Sequence, residues 1–341
     1  MDPLSQAGLG ASLSQSFVTS GRQYWPALII GALAGMAPDL DVLISSREDP
    51  LLFLEYHRQF SHSLVFIPVG ALICALIVVA ASRISWLSTG LSFRQIYLFS
   101  LLGYATHGLL DACTSYGTQL FWPFSTERFA WNTVSIIDPL FSIPVLALVI
   151  VAAVKKQRKY ASIAFVYAVL FLAAGQLQKM RAETAMYALA ESRGHVIVDQ
   201  QVKPSFGNRI VWKLIYEADG YYYIDAVRLW PEPEIIEGDT IRKLDVNSDF
   251  PWLPADSQQA RDIERFRWFS AGFLAVKPDD PNVVFDVRYS FLPNEVDMMW
   301  GIELDRYVIE QGMLDRHVDY TINNRADSAT RRRFTKMVLT W

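Results

Sequence analysis

The stretch IYLFSLLGYATHGLLDACTSYG, residues 96–117, decides how the first half of this chain is read. Its first ten residues carry no charge. Further on, His107 and Asp111 stand four residues apart, so their side chains share one helix face. Ionisable groups at membrane depth are expensive and usually mark function. The stretch therefore reads as a transmembrane helix, 96–112, that ends in a polar site.

Three other runs match it. LVFIPVGALICALIVVAAS (64–82) and YASIAFVYAVLFLAAGQL (160–177) carry no charge, and IIDPLFSIPVLALVIVAAV (136–154) carries one Asp near its start. About 20 apolar residues cross a bilayer, so the sequence predicts four spans. WPALIIGALAGMA (25–37) is shorter and stops at Pro38, and the uncharged Leu4–Thr19 is shorter still. These two read as a helical hairpin that enters the membrane and returns, with Gly31 and Gly35 as a GxxxG pair for close packing. Arg22, the apolar run and ALA at 32–34 also mimic a signal peptide, the competing reading of this segment.

Composition agrees. The 341 residues are 52% hydrophobic, above the range of soluble domains. Residues 1–177 hold 10 Lys and Arg and 9 Asp and Glu, whereas residues 178–341 hold 21 and 26. An apolar half thus precedes an ordinary charged one. The net charge of −4, without a basic stripe, argues against a nucleic-acid partner, and Arg331 to Arg333 read as solvated surface. Cys74 and Cys113 lie in or beside apolar segments and read as packing residues.

Lys and Arg bias sets the orientation. Loops 20–24, 83–95 and 155–159 carry seven such residues and loops 45–63 and 113–135 carry three. The first group faces the cytoplasm; the second group, and everything after Leu177, faces the other side. On that second face four motifs collect: APDLD (37–41), HRQFSHS (57–63), HGLLD (107–111) and IIDPLF (136–141). Singly, each has an ordinary reading: a solvated turn for Asp39 and Asp41, loop residues for His57 and His62, a helix cap for Asp138 ahead of Pro139. Together they bring His57, His62 and His107 to the same face as Asp39, Asp41, Asp111 and Asp138. Imidazole and carboxylate ligands suit a divalent cation, Zn²⁺ foremost, as one or two ions. A cation also offsets several carboxylates in a low-dielectric place.

These motifs, with MDPLSQAGLG at the start and HGLLDACTSYGTQLFWPFS after the second histidine motif, resemble the LexA-regulated inner-membrane family assigned as metal-dependent hydrolases. The resemblance covers residues 1 to about 180. KPSFGNRIVWKLIYEADGYYYID (203–225) and RFRWFSAGFLAV (265–276) resemble the C-terminal region of the longer members. That family is similar to the zinc-dependent phospholipase C group, in which His and Asp residues of a helical bundle hold metals that hydrolyse phosphodiesters. The implied fold is a phospholipase C-like membrane helical core, residues 1–177, followed by a soluble α+β domain, residues 178–341. In one place the chain departs: members begin with a Thr-His pair, and here Ser5-Gln6 stands instead. Gln is a poor transition-metal ligand, which leaves the number of metals open.

The implied chemistry is hydrolysis by a metal-activated water. The metal ligands would be Asp39, His57 or His62, His107 and Asp111, with Asp41 and Asp138 bridging or supporting. Asp41 would act as general base and Arg58 would stabilise developing negative charge. Tyr116, Trp122 and Trp131 read as an interfacial aromatic belt, or else as the lining of the site's mouth. A site at a membrane surface implies an amphiphilic substrate, a phospholipid or polyprenyl phosphate, in a multi-pass protein of the bacterial inner membrane with its site and C-terminal domain on the periplasmic side. Two other classes compete: an ion-pathway protein, whose polar residues would run through the bilayer, and a metal-binding scaffold without turnover, which Gln6 favours.

In the charged half, 178–193 continues the last span as a helix. HVIVDQQV (195–202), RIVWKLIYE (209–217), YYYIDAVRLW (221–230) and VVFDVRYSF (283–291) read as strands, with ADG (218–220) as a hairpin turn. DSQQARDIERFRWF (256–269) reads as a helix. His195 and His317 read as surface or packing residues.

Overall fold

The computed structural model describes residues 1–84, 89–323 and 326–339, so the middle of the 83–95 loop lies outside the described residues. Two compact units divide the chain. The first comprises Met1–Leu43, Tyr56–Gln178 and Phe206–Arg209; the second comprises Ile44–Glu55, Lys179–Ser205 and Ile210–Trp341.

The first unit is helical. Helix α1 (Pro3–Gln15) starts where the Asp2 carboxylate accepts from the Leu4 and Ser5 backbone N–H groups and Pro3 fills the first turn. It buries Ser5, Gln6, Ser12, Ser14 and Gln15, and packs against α2 (Tyr24–Met36), α5 (Phe93–Ala112) and α6 (Pro139–Lys155). Glycines make this contact close. A Cβ on Gly10 or Gly103 would run into the Gly31 carbonyl, and one on Gly35 would stand 2.7 Å from the Gln6 carbonyl. Helices in lipid associate through such backbone approach, so the Gly31/Gly35 pair does pack closely.

Two expectations about the spans change. Pro38 does not stop the second segment: the backbone passes from α2 into a 3-10 helix, Ala37–Leu43, and the helical run Gly21–Leu43 is long and apolar enough to cross a membrane. A proline near a helix end loses few backbone bonds, so the chain tightens instead of breaking. Conversely, α5 does not rank among the helices apolar enough to cross. Its length suffices, but Arg94, Gln95, Ser100, Thr106, His107 and Asp111 dilute it, and half of it is buried against α1, α2 and α4 (Ile67–Ala81). Leu64–Ala81 and α7 (Arg158–Ser192) are candidate spans, and α6 is a shorter apolar helix. These carry exposed Leu72, Ile73, Leu76 and Ile77, Ile143 and Ile150, and Val166, Val169 and Leu170. Faces this apolar suit lipid contact.

The second unit holds two antiparallel four-stranded sheets. In one, β1 (Asp199–Pro204), β2 (Val211–Ala218), β3 (Tyr221–Arg228) and β4 (Glu234–Arg242) lie in chain order; in the other, so do β5 (Leu274–Lys277), β6 (Asp280–Asp286), β7 (Trp300–Glu303) and β8 (Asp319–Ile322). Asp219 and Gly220 turn the β2–β3 hairpin with positive φ, as the ADG signal predicts. Alternation along β2 gives the sheet two apolar faces. Trp212, Leu214 and Tyr216 pack on Ala182, Met186 and Ala190 of α7, whereas Ile215 joins Ile224, Phe273, Ala275 and Phe285 between the sheets.

The helix predicted over 256–269 is α9 (Gln258–Phe269), after the short α8 (Val246–Asp249). Helix α3 (Leu52–Tyr56) ends the segment 44–55, which Arg265 of α9 holds through Asp49 at 2.7 Å and Glu55 at 2.5 Å. Helices α10 (Arg306–Glu310) and α11 (Ser328–Leu339) complete the unit. His195 packs on Tyr223, and His317 pairs with Asp262, both structural placements.

Candidate metal centre

Four ligand atoms, one each from Asp39, His62, His107 and Asp111, lie within 4.8 Å of one another. Asp39 comes from the 3-10 turn after α2. His62 comes from a 3-10 turn, Phe60–His62, ahead of α4. His107 and Asp111 share a face of α5. The His62 and His107 Nε2 atoms are 2.9 Å apart and lie 3.5 and 3.4 Å from Asp39 Oδ1. Asp111 Oδ2 stands 3.2 and 3.5 Å from the same two nitrogens. Ligands about 2.0–2.2 Å from a tetrahedral ion stand roughly 3.3–3.5 Å from each other; the four His–Asp separations, 3.2 to 3.5 Å, lie close to that range, and the two imidazole nitrogens are closer.

Two further observations fit a cation. Asp111 Oδ2 is buried and makes no hydrogen bond; Arg58 Nε, 3.0 Å away, is its positive partner, and the oxygen still faces both imidazole Nε2 atoms. Both histidines are also held by the nitrogen that faces away from the cluster. His107 Nδ1 donates to the Gly35 carbonyl at 2.5 Å, and His62 Nδ1 lies 3.1 Å from Asp41 Oδ2 and 3.0 Å from Ser61 Oγ. Such partners fix the tautomer that leaves Nε2 as the ligand atom. Burial alone lowers the His62 pKa, but its contacts with Asp111, Asp39 and Asp41 outweigh that and push it up to about 10. Proton and cation therefore compete for the same nitrogen. Asp39, with a side chain 29% exposed, is the open edge of the cluster.

The other sequence candidates take different places. Asp41 accepts from the Arg58 backbone N–H at 2.9 Å and Ser61 Oγ at 2.6 Å, and pairs with His57 Nδ1 at 2.7 Å besides His62. A carboxylate so engaged orients its neighbours. His57 is thus not in the cluster but behind it, on Asp41. Burial lowers the His57 pKa against the pull of Asp41. Arg58, buried and at positive φ, places Nε 3.0 Å from Asp111 Oδ2 and donates from Nη1 to Thr114 Oγ1 at 3.0 Å. Asp138 is not in the cluster; it caps α6 by accepting from the Leu140 N–H, the ordinary reading of Asp before Pro139. Tyr116 packs edge-on against His57 and beneath the Arg58 and Arg128 guanidinium groups, beside the cluster.

Gln6 lies where the departure from the Thr-His pattern predicts. Its side chain is fully buried and donates to Asp111 Oδ1 at 2.9 Å; the Met1 amino group contacts the same oxygen. Gln6 thus positions Asp111 through Oδ1, while Oδ2 faces Arg58 and the two cluster imidazoles. Gln6→His is expected to raise metal stoichiometry or affinity in the purified protein. Equal values in both proteins, each folded, would show that residue 6 plays no part in metal binding.

Several supporting residues carry no sequence signal. Tyr104 donates to the Ser61 carbonyl at 2.8 Å, and its ring occupies the space that a side chain on Gly70 would need. Gly108 lets α5 approach the turn at His62: a Cβ there would collide with the His62 carbonyl.

The chain is 31% identical over 124 residues to Uncharacterized protein YfhP of Bacillus subtilis (strain 168), 36% of each chain. It is 34% identical over 113 residues to Inner membrane protein YbcI of Escherichia coli (strain K12), 32% of this chain and 61% of that one. The matches thus span about a third and three-fifths of these relatives' lengths. No solved structure matches. A family model described as YdjM inner membrane protein matches residues 1–182, more than half of the chain and all four residues of the cluster, and the chain belongs to that family.

Proposed function

We propose that this protein is a membrane-bound, metal-dependent hydrolase of a phospholipid or lipid-linked phosphoester. The observation that supports it most is the group of four ligand atoms around the hydrogen-bond-free Asp111 oxygen. The likeness to the zinc-dependent phospholipase C group, and the LexA regulation that accompanies the sequence resemblance, belong to the same proposal. Asp39, His62, His107 and Asp111 would hold one divalent ion, Zn²⁺ by donor type. Such an ion, when bound, supplies Lewis acidity to an ester or phosphoester oxygen and acidifies a water.

The chain's own groups divide the remaining work. His57, oriented by Asp41 and with its pKa lowered by burial, takes the role of general base that the sequence assigns to Asp41. Arg58 supplies a fixed positive charge beside Asp111, where a second ion would otherwise be needed. Asp41 holds both His57 and His62, so a single carboxylate sets the geometry of base and ligand together.

The test is turnover by purified, metal-loaded protein on phospholipids and polyprenyl phosphates, with and without chelator. Hydrolysis that disappears with chelator and returns with metal is the expected result. No turnover across that panel would favour a metal-binding scaffold, a reading that the amide at Gln6 supports.

The Lys and Arg asymmetry supports a periplasmic position for the second unit. A reporter fused after residue 341 that needs the periplasm is expected to work, and one that needs the cytoplasm to fail. The reverse pattern would invert the orientation.

A further inference from the structure

The segment Ile44–Glu55 belongs to the β-rich unit, yet it interrupts the helical unit between Leu43 and Tyr56. Asp39 and Asp41 precede it, and His57 and His62 follow it. Whatever holds this segment therefore acts on the chain between two of the motifs that build the metal cluster.

Arg265 of α9 grips the segment at two points. It pairs in two-pronged fashion with Asp49, Nη1 to Oδ1 at 3.0 Å and Nη2 to Oδ2 at 2.7 Å, and turns Nε to Glu55 at 2.5 Å. Its Nη1 also donates to Asp262, a fully buried carboxylate of the same helix, at 2.8 Å. One guanidinium thus serves three carboxylates, with His317 on the other oxygen of Asp262. A planar fork of donors suits this arrangement, and an ammonium group does not. Phe53 adds an edge-on ring contact with Tyr320 at 5.1 Å, and Leu51 and Leu54 are buried. Without Arg265, the carboxylates of Asp49, Glu55 and Asp262 would repel one another, so the segment would be pushed away and not merely released.

The grip continues into the site along the chain. Glu55 lies in α3, a rigid turn of helix whose last residue, Tyr56, belongs to the helical unit. The Tyr56 carbonyl accepts from the Gln59 N–H at 3.1 Å, and the Gln59 carbonyl accepts from the His62 N–H at 3.1 Å. Covalent and hydrogen bonds thus run without a break from Arg265 through Glu55, Tyr56 and Gln59 to His62. Asp41, before the segment, reaches His57 Nδ1 and the Arg58 N–H just after it. A hydrogen bond tolerates only a few tenths of an ångström, so movement at Glu55 reaches both histidines.

We propose that Arg265 is a positioning residue for the metal centre: by pinning Asp49 and Glu55 it fixes the 57–63 turn, which presents His62 to the cluster and His57 to Asp41. The charged half of the chain then takes part in the site through its own inserted segment. The inference rests on the metal reading only for what His62 binds; the pinning of the turn stands or falls separately.

The test is hydrogen–deuterium exchange of the full-length protein in detergent, without added metal, with peptides from 44–55 and 56–63 followed separately. Zn²⁺ affinity of the same proteins is measured alongside. Arg265→Met is expected to speed exchange at least about 10-fold in both segments, the mark of local opening. A clamp that only folds its own unit would loosen 44–55 and leave 57–63 unchanged. Zn²⁺ affinity is expected to fall about 10-fold, within the range that outer partners of ligands command. Val287→Ala truncates the core between the sheets, which includes no residue of 44–55; it controls for lost stability alone and should leave 57–63 unchanged. Should Arg265→Met fail to fold, Asp49→Asn keeps Arg265 paired with Glu55 and Asp262 and is expected to give the same pattern, several-fold in size. Unchanged exchange in 57–63, faster exchange there with unchanged Zn²⁺ affinity, or an equal rise with Val287→Ala would overturn the proposal. Wild-type protein that binds no metal would overturn the metal reading instead, and the exchange of 57–63 would still decide whether Arg265 positions the turn.

Discussion

His107→Ala and Asp111→Ala are each expected to cost at least about 100-fold in metal affinity, since outer partners of metal ligands alone are worth 10–100-fold. The two differ in what they leave behind. His107→Ala removes an imidazole and its bond to the Gly35 carbonyl, a loss of about 1–3 kcal/mol for the acceptor left unsatisfied. Asp111→Ala strands the buried Arg58 guanidinium, which costs about 3–5 kcal/mol when a buried pair loses one member. The double variant Arg58→Met/Asp111→Ala is therefore expected to recover folding without recovering metal. Elemental analysis and thermal unfolding of the purified variants separate the two effects. Wild-type metal content in the folded single variants would end the metal reading of α5.

The site was legible because its residue types are rare in apolar sequence. His and Asp at helix ends in a hydrophobic half need a reason, and the Lys and Arg bias alone brought their segments to one face before any pairing was known. The sequence could not rank the candidates within that face. Asp39 and Asp41 look alike in APDLD, yet the Arg58 N–H, Ser61, His57 and His62 all engage Asp41 and leave Asp39 in the cluster. Only the turn geometry of 57–63 decides this, and turns have no periodicity to read.

The same limit explains the spans. Hydropathy cannot distinguish a helix surrounded by lipid from one surrounded by other helices, so α5 read as a span although α1, α2 and α4 bury half of it. In the second unit, β2, β3 and β6 announce themselves through β-branched and aromatic residues. Strand β4, EIIEGDTIR, with charges on an exposed edge, does not.

The close contact of α2 and α5 carries the second large effect. Asp39 follows α2, whereas His107 and Asp111 belong to α5, so the cluster forms only if these helices meet at a fixed distance. Gly31 and Gly103 set that distance: a Cβ on Gly103 would overlap the Gly31 carbonyl and lie 2.9 Å from its Cα. Gly103→Val is expected to force the helices apart, with a loss of at least about 1–3 kcal/mol from overpacking. It would also stretch the bond from His107 Nδ1 to the Gly35 carbonyl, which bridges the same two helices. Metal content should fall sharply although no ligand has changed. Gly21→Ala is the control, because a Cβ there meets only Lys156 Cδ, in a flexible side chain, at 3.5 Å. Metal content and thermal stability of the two variants are measured side by side. If Gly103→Val matched Gly21→Ala in both, the glycine contact would not be what brings Asp39 to His107, and the cluster would have to be held by the 57–63 turn alone.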